Sequence, residues 1–522
     1  MVASVRARSA RIRGGPLDRA RGARALAACL ACVGLAALSL LIPSAPTTDS
    51  WGWIVWGREL VQPDYAFSTK LGGPPSWKPL PVLATVPLSL AGSVAPKLWI
   101  LCARSIALLG LLLAFRLAGR LVGGGSVVRR SAAGVIAVVG LVVSLVWIRE
   151  FSHGYSEPVA IALLLAAIDR HLAGRQGQAL LLGAAVSATR PEAFPLLAVY
   201  AGLMWWRSEV GLTWVALTLA AVPALWLVPD WIGAGDPFYG SRLSRHLLES
   251  GGDPLSQALY TAPVPLSLAA IGGTALAAWR GDRGFLEVAG LAAIWFALLG
   301  LMMAGGYPSY PRFFNLPAAL LCVVGAAGAV RLVEAPRRTW VRAAVAAGGL
   351  AVLALSFIPR AENAVTAAEE AARRARVESD LWKAVTRAGG ANLRRCGLSA
   401  LPRGLTWTKG LVAWRLELPI RKIGKLKTSG DEQTLQRLKR GLRQHPSRGT
   451  VTVQVPRKPA VLFLPYAESR LQFTRHHGPA RTERLASFGQ WSVYTTKPAR
   501  CKRELASGRP YLGFPNASRS VF

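Results

Sequence analysis

Long apolar stretches separated by short polar ones fill the first two thirds of this chain. A helix needs about 17 to 25 apolar residues to cross the hydrocarbon core. Read at roughly that length, candidate spans fall at 25–43, 97–122, 131–148, 156–171, 176–189, 191–206, 211–228, 263–279, 285–304, 313–334 and 341–358. They are rich in Ala, Leu, Val and Gly and do not alternate polar with apolar positions, which argues against a β-barrel. A further apolar stretch, 80–95, is interrupted by Pro81, Pro87 and Gly92 and reads as a juxtamembrane or partly inserted helix. Beyond 359 the pattern changes. Helical periodicity runs over 363–388, and short strand-like runs follow at 451–455, 459–464 and 490–495. The fold class expected is an α-helical polytopic membrane protein of about eleven spans with a small C-terminal α+β domain.

Composition agrees with this reading: 522 residues, 52% hydrophobic, mean hydropathy +0.33. The net charge of +35 invites a nucleic-acid reading, but the arginines sit beside the spans, where orientation and anionic headgroups account for them. Arg6, Arg8, Arg11, Arg13, Arg19, Arg21 and Arg24 precede the first span, so the positive-inside rule puts the N-terminus in the cytoplasm. Even-numbered spans are followed by Arg129 and Arg130, by Arg170 and Arg175, by Arg207, by Arg280 and Arg283, and by Arg337, Arg338 and Arg342. An odd span count then leaves the C-terminal region outside. The expected divisions are a basic cytoplasmic segment, 1–24, a transmembrane domain, 25–359, with a long first outer loop, 44–96, and an extracytoplasmic domain, 360–522. Residues 1–43 also have the form of a signal peptide, but the many later spans argue for a retained helix. The run from Arg421 through Arg448 reads as a flexible basic loop.

Cys29, Cys32, Cys102 and Cys322 lie in apolar segments and read as packing residues. Cys396 and Cys501 flank the polar C-terminal region and would pair if it faces an oxidising compartment.

The informative polar residues collect on the side read as outer. The first loop carries Asp49, Arg58, Glu59, Asp64 and Lys78 together with Trp51, Trp53, Trp56 and Trp77. Glu150 to Pro158 contains His153 and Glu157, a tight turn carries Arg190 and Glu192, and 229–262 contains Gly235-Asp236-Pro237. The segment 305–312 ends in Tyr310-Pro311-Arg312. A transporter would spread ionisable groups along a path through the membrane. Convergence on one face points to chemistry at the interface.

These features resemble the GT-C superfamily of membrane glycosyltransferases over roughly 25–335. The likeness rests on Asp49 in a long first outer loop, Ser156-Glu157-Pro158 opening a span, Thr189-Arg190-Pro191-Glu192, and Tyr310-Pro311-Arg312-Phe313-Phe314 leading into Leu316-Pro317-Ala318. The resemblance implies transfer of a sugar from a polyprenyl-phosphate donor to a glycan, lipid or protein acceptor of the cell envelope, among membrane lipids and without nucleic acid. It implies Asp49 as the base that accepts the acceptor's proton. Arg312 and Lys78 would bind the donor phosphate. Trp53, Trp56, Trp77, Glu59, His153, Glu157, Arg190, Glu192 and Tyr310 would bind substrate. Many relatives carry two adjacent acids in the first loop. Here the sequence is Thr48-Asp49-Ser50, so a divalent cation, magnesium or manganese, is left open.

Each residue has a structural alternative. Asp49 or Ser50 would equally cap a helix over 51–61. The tryptophans would form an interfacial belt. Arg190 and Glu192 would pair across their turn, Glu157 would complement a helix N-terminus, and Arg312 would anchor to headgroups. Two whole-protein alternatives stand beside the enzyme: a flippase for lipid-linked sugars, and a non-catalytic scaffold with an exported binding domain.

Overall fold

The computed structural model describes residues 16–62, 67–71, 75–124, 126–144, 146–247, 253–307, 309–429, 450–465, 470–475 and 478–507. Asp64 and most of the basic run 430–449 lie outside the described residues.

Helix α1 (Pro16–Ser39) begins ahead of the first apolar stretch and so takes in part of the basic segment. The first loop folds into α2 (Thr48–Val61) and α3 (Pro79–Ser89). Pro79 at the first position of α3 has no N–H to leave unpaired, which suits a helix start. Next come α4 (Ala95–Leu121), α5 (Val127–Val142), α6 (Trp147–His153), α7 (Ser156–Leu172), α8 (Gln176–Ser187) and α9 (Phe194–Trp206). Then follow α10 (Leu212–Ala234), α11 (Tyr239–Leu247), α12 (Pro254–Thr261), α13 (Val264–Arg280), α14 (Arg283–Ala304) and α15 (Asn315–Glu334).

Every expected span has a helix, but not every helix has a span's length. Among the described residues, six are long and apolar enough to cross a membrane, and eight if each of two bent pairs counts as one. The expected spans 156–171, 176–189 and 191–206 correspond to helices of 17, 12 and 13 residues. Their shortness has a local cause: α8 ends before Arg190-Pro191-Glu192 and α9 begins after it, and α7 opens on Ser156-Glu157, so polar residues stand where further apolar turns would lengthen the helices. The expected span 131–148 breaks after α5, and the end of α6 meets the start of the first loop, where His153 bonds Ala45 and Thr47.

Helix α15 is the axis of the bundle, buried on most of its surface. It packs on α13 through glycine: a Cβ on Gly325 would lie 2.2 Å from the Leu266 carbonyl oxygen, and one on Gly328 2.3 Å from that of Ala269. Such small-residue contacts let helices approach where no hydrophobic effect drives them together. One end of the bundle is basic and self-paired: Arg331 meets Asp282 at 2.5 Å, Arg120 meets Asp169 at 3.5 Å, and Arg129 pairs with Glu334.

The expected boundary near 359 is crossed by one helix. The stretch 341–358 and the pattern at 363–388 are both part of α16 (Thr339–Arg387), 49 residues that run through Pro359. A helix this long reaches about 70 Å, enough to carry the chain out of a bilayer and into the C-terminal domain without a linker. There β1 (Leu398–Pro402), β2 (Ile423–Ser429), β3 (Thr450–Gln454), β4 (Ala460–Leu464), β5 (Arg470–Arg475), β6 (Gly478–Pro479), β7 (Glu483–Phe488) and β8 (Trp491–Thr495) form one mixed sheet in the order β6-β5-β3-β2-β1-β4-β8-β7. Strand β1 is parallel to β2 and β4. The three strand runs expected from sequence are β3, β4 and β8. Strand β2 corrects the reading of its stretch as loop. It spends Lys425 and Lys427 on exposed positions while Ile423 and Leu426 are buried, and pairing with β1 and β3 supplies the order its own pattern lacks. Helix α17 (Lys409–Arg415) crosses between β1 and β2, and α18 (Pro498–Ala506) closes the domain.

Cys396 and Cys501 are bonded, with Cα atoms 4.6 Å apart and both side chains fully buried. The bond ties the start of β1 to α18 across 105 residues. In the chain-entropy description a loop of that size contributes about 4 to 5 kcal/mol. Removing both thiols, as Cys396→Ala with Cys501→Ala, is expected to cost the C-terminal domain several kcal/mol. Thermal unfolding with and without reductant checks this: the wild type loses stability on reduction and the double variant does not respond.

Candidate active site

The site is built around Glu157, at the start of α7, whose side chain is completely buried. A lone carboxylate there would be strongly disfavoured. It is compensated by two cations from separate parts of the chain. Lys78 Nζ, from the first loop, donates to its Oε1 at 3.0 Å and to Ser156 Oγ at 2.7 Å. Arg190, from the α8–α9 turn, donates to the same Oε1 at 2.9 Å and from Nε to Glu192 Oε1 at 2.6 Å. Arg190 thus serves as the structural pair across its turn and as the counter-ion of Glu157. Burial opposes its charge, but Glu192 and Glu157 overcome this and raise its pKa above the ordinary arginine value. For Lys78 burial wins: it pulls the ammonium below its usual value, and Glu157 restores only part.

Phe313 extends the cluster. The guanidiniums of Arg190 and Arg312 lie 4.8 and 5.4 Å from its ring centroid, within cation–π range. Tyr307 and Tyr310 pack against the same ring, at 5.0 and 6.0 Å. Arg312 in turn reaches Asp49 Oδ2 at 3.6 Å. Glu150, on α6, is held by Asn315 Nδ2 at 2.6 Å. Of these charged groups Arg312 is the most exposed, with 30% of its side chain accessible, followed by Asp49 at 11% and Lys78 at 8%, against 0% for Glu157 and 2% for Arg190.

Asp49 lies in the first turn of α2, where the helix dipole favours negative charge. It is not the cap. Thr47 is, accepting the Ser50 N–H at 3.1 Å. Ser50 instead donates to the Gly154 carbonyl at 2.7 Å, an oxygen that Trp99 Nε1 also reaches at 2.9 Å. Gly154 ends α6 with φ +63°, and a Cβ there would press on Trp99 at 3.1 Å, so glycine suits the corner. Asp49 is thereby free of capping duty. Its Oδ1 accepts the Ser76 N–H at 3.1 Å, which leaves Oδ2 toward Arg312.

Several residues expected to bind substrate are committed elsewhere. Trp53 and Trp56 are fully buried and donate to the carbonyls of Ser76 and Ser68. Trp77, half-buried, donates to Leu225. All three pack edge-on to other aromatics, so they build the loop's core rather than a sugar platform or a headgroup belt. His153 holds the Ala45 carbonyl at 2.9 Å and is buried. Glu59 accepts the Ile420 N–H at 3.0 Å. Beside it Arg58 donates to the carbonyls of Ala413, Trp414 and Leu418, at the end of α17. The C-terminal turn of α2 therefore docks the C-terminal domain. Sequence reasoning could not see this, because the partners are backbone atoms more than 350 residues away.

Among the described residues no three of His, Cys, Asp and Glu gather where a metal ion would sit. Glu157 already meets Lys78 and Arg190, and Asp49 meets Arg312, so the carboxylates of this cluster are engaged by side-chain cations.

Two outcomes follow from these contacts. Glu157→Gln strands Lys78 and Arg190 and is expected to cost about 3 to 5 kcal/mol, read as a lowered melting temperature of detergent-purified protein. Burial pushes the Glu59 carboxyl up to about 7, against the pull of the Ile420 N–H, Arg58 and Arg421. A carboxyl raised in the fold contributes stability that is full below its unfolded value and is lost as pH rises through its folded one. The docked domain is thus expected to weaken between about pH 4.5 and 8 by on the order of 1 to 3 kcal/mol. Glu59→Gln is expected to flatten that dependence in melts across the same range.

No protein-family model matches the chain, and no curated protein matches it in sequence. Solved structures do. The crystal structure of ArnT from Cupriavidus metallidurans bound to undecaprenyl phosphate aligns with a TM-score of 0.54 at 13% identity, covering 91% of this chain and 98% of that one. The same protein in the apo state gives 0.53 at 12% identity, with 91% and 99% covered. The alignment takes in bundle and C-terminal region alike, and the chain therefore has the GT-C fold that its sequence motifs resemble.

Proposed function

We propose that this protein is a membrane glycosyltransferase that moves a hexose or pentose from a polyprenyl-phosphate donor to a cell-envelope acceptor on the outer face of the cytoplasmic membrane. The observation that carries the reading is the partly open Asp49–Arg312 pair at 3.6 Å, in a fold shared with a protein that binds undecaprenyl phosphate. An acceptor hydroxyl is a poor nucleophile until its proton is taken, and a positioned carboxylate can take it. Asp49 Oδ2 is that base. As the acceptor oxygen bonds to the anomeric carbon, the bond from that carbon to the phosphate oxygen breaks. The electron pair leaves with polyprenyl phosphate, and the proton stays on Asp49. One displacement inverts the anomeric centre.

Arg312 stands where the leaving phosphate would gather charge and supplies a guanidinium to it. Lys78 is read instead as a positioning residue, because its ammonium is engaged by Glu157 and Ser156. The reading as an outer-face enzyme draws support from the Cys396–Cys501 bond and from the arginine-rich opposite end of the bundle.

The test supplies radiolabelled polyprenyl-phosphate sugars to membranes carrying the wild type, Asp49→Asn or Arg312→Gln. Each substitution is expected to lower kcat by about 10²-fold or more, and Asp49→Asn is expected to keep donor binding. Full activity in Asp49→Asn removes it as the base. Failure of the wild type to transfer from any donor favours a flippase or a scaffold.

A further inference from the structure

The arginine-rich end of the bundle holds a cleft that the proposed chemistry leaves unused. It has a volume of about 510 Å³ and opens between α4 and α5, a size that suits a small ligand or a headgroup. The sequence lets the two helices approach closely here. They are joined by a short turn through Gly123, whose φ of +82° suits glycine. A Cβ on Gly119 would lie 3.0 Å from the Arg130 carbonyl oxygen, and one on Gly134 2.4 Å from the ring of Phe115. Phe115 gives the cleft an apolar wall, and Arg116, Arg120, Arg130 and Ser131 give it a polar one.

The charge of this cleft is only partly balanced within the fold. Arg116 Nε lies 3.4 Å from Asp169 Oδ1 and Arg120 Nη1 3.5 Å from the same oxygen, and Arg170 pairs with that carboxylate as well. Three guanidiniums thus share one buried carboxylate. Arg130 is exposed and enters no ion pair among the described residues. By contrast Arg129 has Glu334, and Arg331, behind Gly123, has Asp282. Arg130 also stands in the first turn of α5, a helix capped by Ser126, where the positive end of the helix dipole disfavours a cation. An anion in the cleft offsets both repulsions at once.

The surroundings indicate which anion. The helix faces beside the cleft are apolar and exposed: Leu112 on α4, and Val128, Val135 and Val139, which recur along one side of α5. A bilayer would cover such residues. A ligand that meets arginines at the helix ends and valines along the helix has a charged head and hydrocarbon tails. Guanidiniums donate paired N–H groups to phosphate oxygens, and basic pockets between membrane helices suit anionic headgroups. We propose that this cleft binds one anionic phospholipid, its phosphate held by Arg116, Arg120 and Arg130 and its acyl chains lying along Leu112 and the valines of α5. The site stands independently of the reaction proposed at Asp49.

Native mass spectrometry of the full-length protein in detergent tests this, with phosphatidylglycerol and phosphatidylcholine of identical chains as probes. The wild type is expected to bind one phosphatidylglycerol at least about tenfold more tightly than phosphatidylcholine. Arg116→Gln and Arg130→Gln are each expected to weaken phosphatidylglycerol by about fivefold. Both positions are exposed, so the melting temperature of the lipid-free variants is expected to match the wild type. Arg207, exposed and on the same side by the charge pattern but outside the cleft, is the control: Arg207→Gln is expected to leave binding unchanged. An equal loss in Arg207→Gln reduces the effect to general surface charge and overturns the proposal. Equal affinity for the two lipids, or unaltered binding in both cleft variants, overturns it too. Full displacement of phosphatidylglycerol by an equal concentration of inorganic phosphate overturns it in favour of a free-anion site. Tighter binding of undecaprenyl phosphate, lost in the same variants, overturns it in favour of a polyprenyl-phosphate site at this end.

Discussion

A carboxylate with no access to water needs counter-charge, and Glu157 obtains it from two distant parts of the chain. Lys78 brings the first loop to the bundle, and Arg190 brings the α8–α9 turn. Arg190 then stacks on Phe313, Phe313 carries Arg312 beside it, and Arg312 meets Asp49. The route from a buried anion to a reachable one is a series of short contacts. Removing one partner of such a pair is far more costly than the pair's net stabilisation, because the remaining charge stays buried. The cluster therefore fixes geometry more than it adds stability. Pre-organised charge is also what a transfer reaction uses, since it need not rearrange as charge develops.

Helix α2 couples this site to the C-terminal domain. Its first turn presents Asp49, and its last turn presents Arg58 and Glu59 to the end of α17 and to Ile420. Between them Trp51 reaches Glu378 on α16. A Cβ on Gly410 would lie 2.5 Å from that of Trp51, so helix and domain are in close contact along this line. A shift of the domain would move the helix that holds Asp49. Along α2, catalytic geometry and domain docking are a single packing problem.

Much of this was legible in the sequence, for identifiable reasons. Apolar stretches report helices because lipid leaves no other partner for backbone groups, and each expected stretch has its helix. Asp49, Arg312, Glu157, Arg190 and Glu192 were singled out because charge beside apolar spans is costly, and the structure brings them together. The partners of the tryptophans and of Glu59 were not legible for one reason: they are carbonyl and amide groups, which every residue carries and no pattern marks. Strand β2 was hidden because two lysines and a glycine mask its two buried positions.

The central claim is that the polar end of the bundle, around Asp49 and Arg312, receives the lipid phosphate. Photocrosslinking the full-length protein in membranes with a polyprenyl phosphate that carries a diazirine next to its phosphate tests this most directly. The account predicts labelled peptides from the Asp49 turn of α2 and from 307–314, with labelling reduced in Arg312→Gln. Labelling confined to the basic end of the bundle, around Arg129 and Arg331, would contradict it.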